Sequence, residues 1–305
     1  VKESLKALLD LLDLEQIEND IFRGRTSDER RQRVFGGQVA AQALVAAGRT
    51  VPVNRPAERS SSVEWRGAGA GGRSVHSLHA YFIRPGDPLV PIVYTVDRVR
   101  DGRSFTTRRV VAVQHGKAIF TLSASFQIVE DGPAHQAAMP DAPAPETLPD
   151  GLTRMTPLFG EVAAREFVTR RPFDIRHATP LSWEAAKDPA LVTSESKVWL
   201  RVDGELPDDP LLHVCLMTYA SDMTLLDTVL LNHGLTWGDK QTMGASLDHA
   251  MWFHRPFRAD DWLLYYQDTP FAGGARGLAR GQVFTRSGEL VVSVMQEGLI
   301  RVTGD

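Results

Sequence analysis

Apolar residues recur along positions 211–232 with the period of an α-helix. Leu212, Leu216, Tyr219, Met223, Leu226 and Leu230 follow one another at spacings of four, three, four, three and four residues, which keeps them on one face of a 3.6-residue repeat. The run predicts a nearly apolar helix launched by the turn LPDDP, with Pro210 in the first helical turn. Asp222 flanks that stripe. A carboxylate there is costly unless it is hydrogen-bonded or does chemistry. A second helix is predicted over residues 2–13, with Leu5, Leu8, Leu9 and Leu12 on one face. A third, over residues 38–47, is built of small residues, with Ala at 40, 41, 43, 46 and 47. Such a helix can approach a sheet closely. Gly36 and Gly37 stand just before it and Gly48 is a natural C-cap.

Elsewhere the period changes to two. Alternating, β-branched segments at 75–83, 89–102, 104–116 and 117–129 predict a hairpin series. Ser246 opens a comparable series at 246–256, 261–269, 274–285 and 289–300, after the long apolar helix. The order helix-then-sheet therefore occurs twice. SLHAYFIRPGD (77–87) resembles SLDHAMWFHRP (246–256); Arg84 lies 18 residues before Gly102, and Arg255 lies 18 before Gly273. The last strands carry Gln127 and Gln296. Equal order and spacing point to a duplicated unit, each copy a buried helix beside an antiparallel sheet, the two sharing one extended sheet. The expected division is an N-terminal unit at 1–130, a linker at 131–195 and a C-terminal unit at 196–305. Residues 131–151 hold five prolines and read as surface chain, with a short helix around 155–168 and strands in PFDIRHA and KVWLRVDG. Residues 52–74, rich in Ser, Arg, Gly and Ala and containing Trp65, read as a flexible insertion. The charged run at 27–33 reads as a solvated loop, with phosphate contact by Arg31 or Arg33 as the alternative.

Composition narrows the function classes. The 305 residues are 43% hydrophobic and carry a net charge of -4, enough for a sizeable core without disulfide or metal staples. No basic clusters favour nucleic acid as a partner, and no run of 18 uncharged apolar residues predicts a membrane span. The single cysteine, Cys215, falls in the apolar helix. It reads as an inert buried thiol, and a reducing, cytoplasmic setting fits. His249 and His254 are spaced by five, which is not a metal-ligand pattern, and Asp248 does not complete one; packing or solvent contact is expected for both. Gly36-Gly37 belongs to no dinucleotide or triphosphate fingerprint. Glycines before a helix can nevertheless offer amide donors to an anion or a polarised carbonyl.

The blocks FGGQVAAQAL, HAYFIRPGD, RDGRSFTTRRVVAVQHGKAIF, YASDMTLL, LDHAMWFHRPF and VMQEG closely resemble the acyl-CoA thioesterase II family, over almost the whole chain from about Leu5 to Glu297. The resemblance implies an α+β double hotdog: two units, each a central helix wrapped by an antiparallel sheet. It implies hydrolysis of acyl-CoA to fatty acid and coenzyme A, with no cofactor or metal, in a homodimer or larger assembly that does not insert stably into membranes. It also implies an active site of Asp222, Ser246 and Gln296, with Ser where the better-known bacterial member has Thr. Residue chemistry agrees: a thioester needs no covalent intermediate, only a placed water and an acceptor for its proton. The first copy shows no matching acid, so one catalytic set per chain is expected, the first copy shaping the acyl channel or its donor contacts. Arg84-Pro85 and Arg255-Pro256 are expected to be architectural, with coenzyme A phosphate contact second; Arg108, Arg109, Arg276 and Arg280 are further phosphate candidates. The competing readings are a hotdog hydratase or dehydratase, which would need an Asp–His pair, and a non-catalytic acyl-CoA-binding protein.

Overall fold

The computed structural model describes residues 2–26, 33–52, 72–238 and 241–302. Trp65, most of the 52–74 insertion and Arg31 lie outside these residues. The chain begins with α1 (Glu3–Leu12), a hairpin of β1 (Glu15–Glu18) and β2 (Ile21–Gly24), then α2 (Gly36–Arg49). Four strands follow: β3 (Arg73–Phe82), β4 (Ile92–Asp101), β5 (Phe105–Gln114) and β6 (Lys117–Ile128). The connecting segment holds α3 (Gly151–Phe159), α4 (Glu161–Thr169), β7 (Phe173–His177) and α5 (Ser182–Ala185). The second unit comprises β8 (Glu195–Val202), α6 (Pro210–Ser221), α7 (Asp227–Leu231), β9 (Thr242–Ser246), β10 (Asp248–Phe253), β11 (Leu263–Gly273), β12 (Arg276–Thr285) and β13 (Leu290–Val302).

One antiparallel sheet runs through both units in the order β1-β2-β4-β5-β6-β3-β10-β13-β12-β11-β8-β7, with β9 paired to β13. The units join where β3 meets β10, with Leu78 opposite Met251. The sheet wraps α2 and α6, which pack side by side. Every residue of α2 from Gly37 to Ala47 is buried, as its run of alanines requires. This is the double hotdog expected from the sequence. Among the described residues no helix is long and apolar enough to cross a membrane.

The duplication is visible in side chains as well as order. Nη1 of Arg84 donates to the Ala118 carbonyl near the start of β6, and Nη1 of Arg255 donates to the Leu290 carbonyl at the start of β13. Arg109 pairs with Asp97 on the outer face of the first sheet half, and Arg280 with Asp268 on the second. The Arg-Pro dipeptides are thus architectural, as expected.

Several expectations need correction. Gly48 lies inside α2, which ends at Arg49 and is followed by Thr50. A Cβ on Gly48 would sit 2.5 Å from Cδ2 of Leu211, so this glycine lets α2 approach α6 instead of capping it. The helix around 155–168 is two helices, α3 and α4, divided at Gly160 with φ 80°, a value that favours glycine. The connecting segment supplies β7 to the far edge of the second unit's sheet. The helix expected over 211–232 breaks at Asp222, and Ser246 ends β9 instead of opening the next strand.

Candidate active site

The helix break places the acid. After Ser221 the backbone tightens: Met223 N–H donates to Ala220 O, Asp227 N–H to Thr224 O and Thr228 N–H to Leu225 O. Each spans three residues instead of the four of an α-helix. Buried side chains of β11 hold this turn. Gln267 donates from Nε2 to Thr224 Oγ1 at 2.6 Å and accepts from Thr228 Oγ1 at 3.1 Å. Tyr265 Oη donates to the Ser221 carbonyl at 3.2 Å. Its ring occupies space that a side chain at Gly281 would fill, since a Cβ there would come within 2.3 Å of it. Asp222 is therefore presented at a fixed helix terminus, with φ -85° and ψ -2°.

Three elements converge on its carboxylate. From β13, Gln296 Nε2 donates to Asp222 Oδ1 at 2.6 Å and lies 2.9 Å from Ser246 Oγ. From the end of β9, Ser246 Oγ lies 3.3 Å from the same Oδ1. From the first unit, Gly37 N–H donates to Asp222 Oδ2 at 2.8 Å. Asp222, Ser246 and Gln296, singled out in the sequence, are thus brought together. The first unit contributes the positive N-terminus of α2, which has no acid in its first turn to offset it. A Cβ on Gly36 would stand 2.7 Å from Asp222 Oδ2, and one on Gly37 would stand 2.4 Å from Tyr219 O. The glycine pair is what lets this helix end reach the acid.

Burial pushes the Asp222 carboxyl up to about 6; the Gln296, Gly37 and Ser246 hydrogen bonds and the nearby Arg33 guanidinium oppose that rise. Arg33 donates from Nη2 to Gly244 O at 2.8 Å. A second carboxyl, Asp227, is also raised to about 6, mainly by burial, with Trp237 donating to it and Asp222 adding to the rise. An ionised Asp222 is a proton acceptor with a pKa near the physiological range.

Strand register corrects one element of the internal alignment. Arg109 is paired with Ser123 in the first unit and Arg280 with Met295 in the second; one step on, Arg108 faces Ala124 and Ala279 faces Gln296. The counterpart of Gln296 is thus Ala124. Gln127 binds Glu130 at 3.0 Å near the sheet's end. Arg108 is fully buried and bound to Asp101 and Thr50, which removes it from the phosphate candidates. Arg109, Arg276 and Arg280 are exposed and paired with Asp97, Glu297 and Asp268.

Sequence reasoning left His249 between packing and solvent contact and missed its polar partner. It is packed inside, and its Nε2 lies 2.8 Å from Ser221 Oγ. Burial lowers its pKa to about 4. The available signal was strand alternation: in DHAMWF it shares the inward face with Met251 and Phe253. His254 remains near the surface, against Ser293 Oγ at 2.8 Å. Among the described residues no group of three or more His, Cys, Asp or Glu could hold a metal ion. Cys215 is fully buried, and burial pushes its thiol well above the usual range.

A cleft of about 1300 Å³ is lined by Tyr219 but by none of Asp222, Ser246 and Gln296. Its apolar wall includes Leu8, Met155, Phe173 and Tyr219, and its polar lining includes Arg25, Arg171 and Arg176. Tyr219, three residues before Asp222, stacks on Phe173 with ring centroids 5.9 Å apart and meets Phe35 edge-on at 5.0 Å.

Comparison with known proteins identifies the family. Two family models match: "Acyl-CoA thioesterase N-terminal domain" over residues 26–127 and "Acyl-CoA thioesterase" over residues 167–299. The chain is 41% identical to human acyl-coenzyme A thioesterase 8, over 96% of this chain and 88% of that one. It is 38% identical to acyl-CoA thioesterase 2 of Haemophilus influenzae, over 99% of both. The crystal structure of acyl-CoA thioesterase II TesB2 from Mycobacterium marinum superposes with a TM-score of 0.75 at 44% identity, covering 97% of this chain and 99% of that one. An Alicyclobacillus acidocaldarius protein described as having a hot dog fold gives a TM-score of 0.71 at 18% identity, covering 98% of this chain and 99% of its own, a likeness of fold alone. Two matched family models in the order of the two structural units, and near-full-length identity around 40%, place this chain in the acyl-CoA thioesterase family.

Proposed function

We propose that the chain hydrolyses acyl-CoA thioesters to a free fatty acid and coenzyme A, using Asp222 as the general base and Ser246 and Gln296 to position it and the attacking water. The observation that carries this reading is the convergence of Gln296 Nε2, Ser246 Oγ and Gly37 N–H on one carboxylate at the meeting point of the two units. Water takes its place beside Asp222, gives up a proton to the carboxylate and attacks the thioester carbonyl. Gln296 and Ser246 restrict the orientations of base and water. The N-terminal turn of α2 supplies the positive end suited to the oxyanion that develops. Collapse of the tetrahedral intermediate expels the coenzyme A thiolate, and the proton held by Asp222 restores the thiol.

The cleft beside Tyr219 supports an amphiphilic substrate: apolar walls suit an acyl chain and the arginines suit phosphates. The lone buried cysteine supports a reducing, cytoplasmic setting. A homodimer or larger assembly is our reading of its quaternary state, which sedimentation at micromolar concentration tests. The hydratase reading would need an imidazole facing the acid. His249 instead lies against Ser221, so nothing in the geometry favours it. A binding protein would have no need of the aligned base.

The test is thiol release from decanoyl-CoA and palmitoyl-CoA. The wild-type chain should release thiol, and Asp222→Asn should lose about 10²- to 10⁴-fold in kcat while keeping its circular dichroism. Undiminished turnover in that variant sinks the mechanism. Tight binding of both substrates without release selects the binding protein.

A further inference from the structure

We propose that His249 is a positioning residue for thioester hydrolysis: its Nδ1–H holds the amide oxygen of Gln296, and so fixes which end of that amide faces Asp222. The inference rests on the proposed function, in which Asp222 is the base and Gln296 positions it.

The geometry starts from the amide. Gln296 Nε2 carries two hydrogens, and both have acceptors at hand, Asp222 Oδ1 at 2.6 Å and Ser246 Oγ at 2.9 Å. This orientation is the only one compatible with an ionised Asp222, because the reverse would press the amide oxygen against the carboxylate at the same short distance. The amide oxygen must then face away. It is buried and makes no hydrogen bond of full geometry. Its neighbour on β10 is His249: the two strands pair as far as Ala250 opposite Met295, and His249 and Gln296 are the next residues along them, both with side chains on the inward face. Nδ1 of His249 is likewise buried without a hydrogen-bond partner; the Gln296 amide favours the charged imidazole, against the larger effect of burial. On its other edge β10 sets Ala80 of β3 opposite His249, a residue with no polar group to compete.

Two buried orphans facing each other across a ladder are stable only if one donates. The amide oxygen cannot, so Nδ1 must carry the proton. Nε2 is then a bare acceptor, and it lies 2.8 Å from Ser221 Oγ, the residue that ends α6 just before Asp222; the single hydroxyl proton goes to Nε2 in this tautomer and to the Thr218 carbonyl, 2.9 Å away, in the other. With the other tautomer, two lone pairs would meet at Nδ1 and Oε1, and the relief would be a flipped amide. That flip turns an acceptor toward Asp222 and favours its protonated, inactive form. The chain Ser221–His249–Gln296–Asp222 therefore couples one imidazole tautomer to the charge of the base. The imidazole stays neutral at working pH because burial holds its pKa to about 4.

The test compares His249→Leu, His249→Asn, Gln296→Ala and the Leu/Ala double variant on decanoyl-CoA. His249→Leu should lower kcat about ten- to a hundredfold, with KM changed by no more than about twofold. It should also move the acid limb of the kcat/KM profile upward, since a freed amide stabilises the Asp222 carboxylate less. The charged and titratable groups acting on Asp222 besides this chain, Arg33, Asp227 and Tyr265, are untouched. His249→Asn, which can place an amide donor where Nδ1 stood, should recover most of kcat. The double variant should be no worse than Gln296→Ala alone. An unchanged kcat in His249→Leu, or losses that multiply in the double variant, overturn the proposal. Wild-type turnover in Gln296→Ala and Asp222→Asn would instead overturn the reading of the site on which it rests. Should His249→Leu fail to fold, long-range ¹H–¹⁵N spectra of the ¹⁵N-histidine wild-type chain decide it. A protonated Nδ1 with a bare Nε2 at His249 supports the relay, and the opposite tautomer refutes it.

Discussion

The acid limb of the pH–rate profile is where the site's electrostatics can be measured. Burial raises the Asp222 carboxyl to about 6, against about 3.9 for a solvated aspartate. If its ionised form is the base, kcat/KM should be close to its plateau at pH 7 and about a tenth of it at pH 5, falling tenfold per unit below that. An unperturbed aspartate would leave activity flat to about pH 4.5. Gln296 is the strongest of the groups that hold the pKa down, so Gln296→Ala should move the midpoint upward as well as lowering the plateau. Asp227 must be controlled for, because it is also raised to about 6 and is coupled to Asp222. Asp227→Asn removes that carboxyl while leaving Gln296, Ser246 and Gly37 in place. The limb should persist in this variant and shift downward if at all, since a neighbouring negative charge is lost. Thiol release from decanoyl-CoA, followed with a dithiodipyridine reagent that reacts below pH 6, gives the profile. A wild-type profile flat from pH 7.5 to 5, or a limb that disappears in Asp227→Asn, would refute the assignment of the limb to Asp222.

Three further outcomes are expected. Gly36→Ala adds a Cβ 2.7 Å from Asp222 Oδ2 and 2.8 Å from the Phe82 ring; overpacking of about 1–3 kcal/mol is partly offset by the better helix propensity of Ala, about 1 kcal/mol, so the urea midpoint should fall little while kcat drops at least tenfold. Arg108→Ala leaves Thr50 and Asp101 without their buried partner and should cost about 2–4 kcal/mol in urea unfolding, with kcat retained in the molecules that fold. Cys215, fully buried with its thiol pushed up, should not react with a thiol reagent in the native chain and should react fully once unfolded in guanidinium.

How much of this was legible in the sequence depends on the kind of signal. Periodicity located the strands because β10 buries alternate residues, but it did not give the buried face of the central helices: α2 is buried on every side, and Leu212 and Tyr219 of the expected stripe of α6 are only partly buried. It could not show that α6 stops at Asp222, since Met223, Leu226 and Leu230 continue the same apolar face. The break is held by Gln267 and Tyr265, more than 40 residues further along the chain. Spacing exposed the duplication through Arg84 and Arg255, yet misassigned Gln127, because strand partners and not sequence offsets decide which residue faces the helix. Arg108 and His249 show the same limit from opposite sides. An arginine taken for a surface phosphate contact is buried, and a histidine taken for packing or solvent contact is tied to the residue next to the acid.

The two copies of the unit fill matching interior slots differently, which supports the proposal of one acid site. At the pair of positions next to the ion pair repeated on each sheet half, the first unit places Arg108 opposite Ala124, and the second places Ala279 opposite Gln296. Both combinations put one long polar side chain and one small residue into the same kind of interior slot. In the first unit the arginine reaches back to Thr50 and Asp101 and ties the end of α2 to the sheet. In the second the glutamine reaches toward Asp222 and Ser246. The first unit is thereby free to present the other end of α2, with Gly36 and Gly37, to its neighbour's carboxylate. An interior arginine at one helix end and a glycine pair at the other anchor α2 at its C-terminus and open it at its N-terminus. The acid belongs to one copy, but one of its hydrogen-bond donors belongs to the other, so neither unit alone holds the complete site.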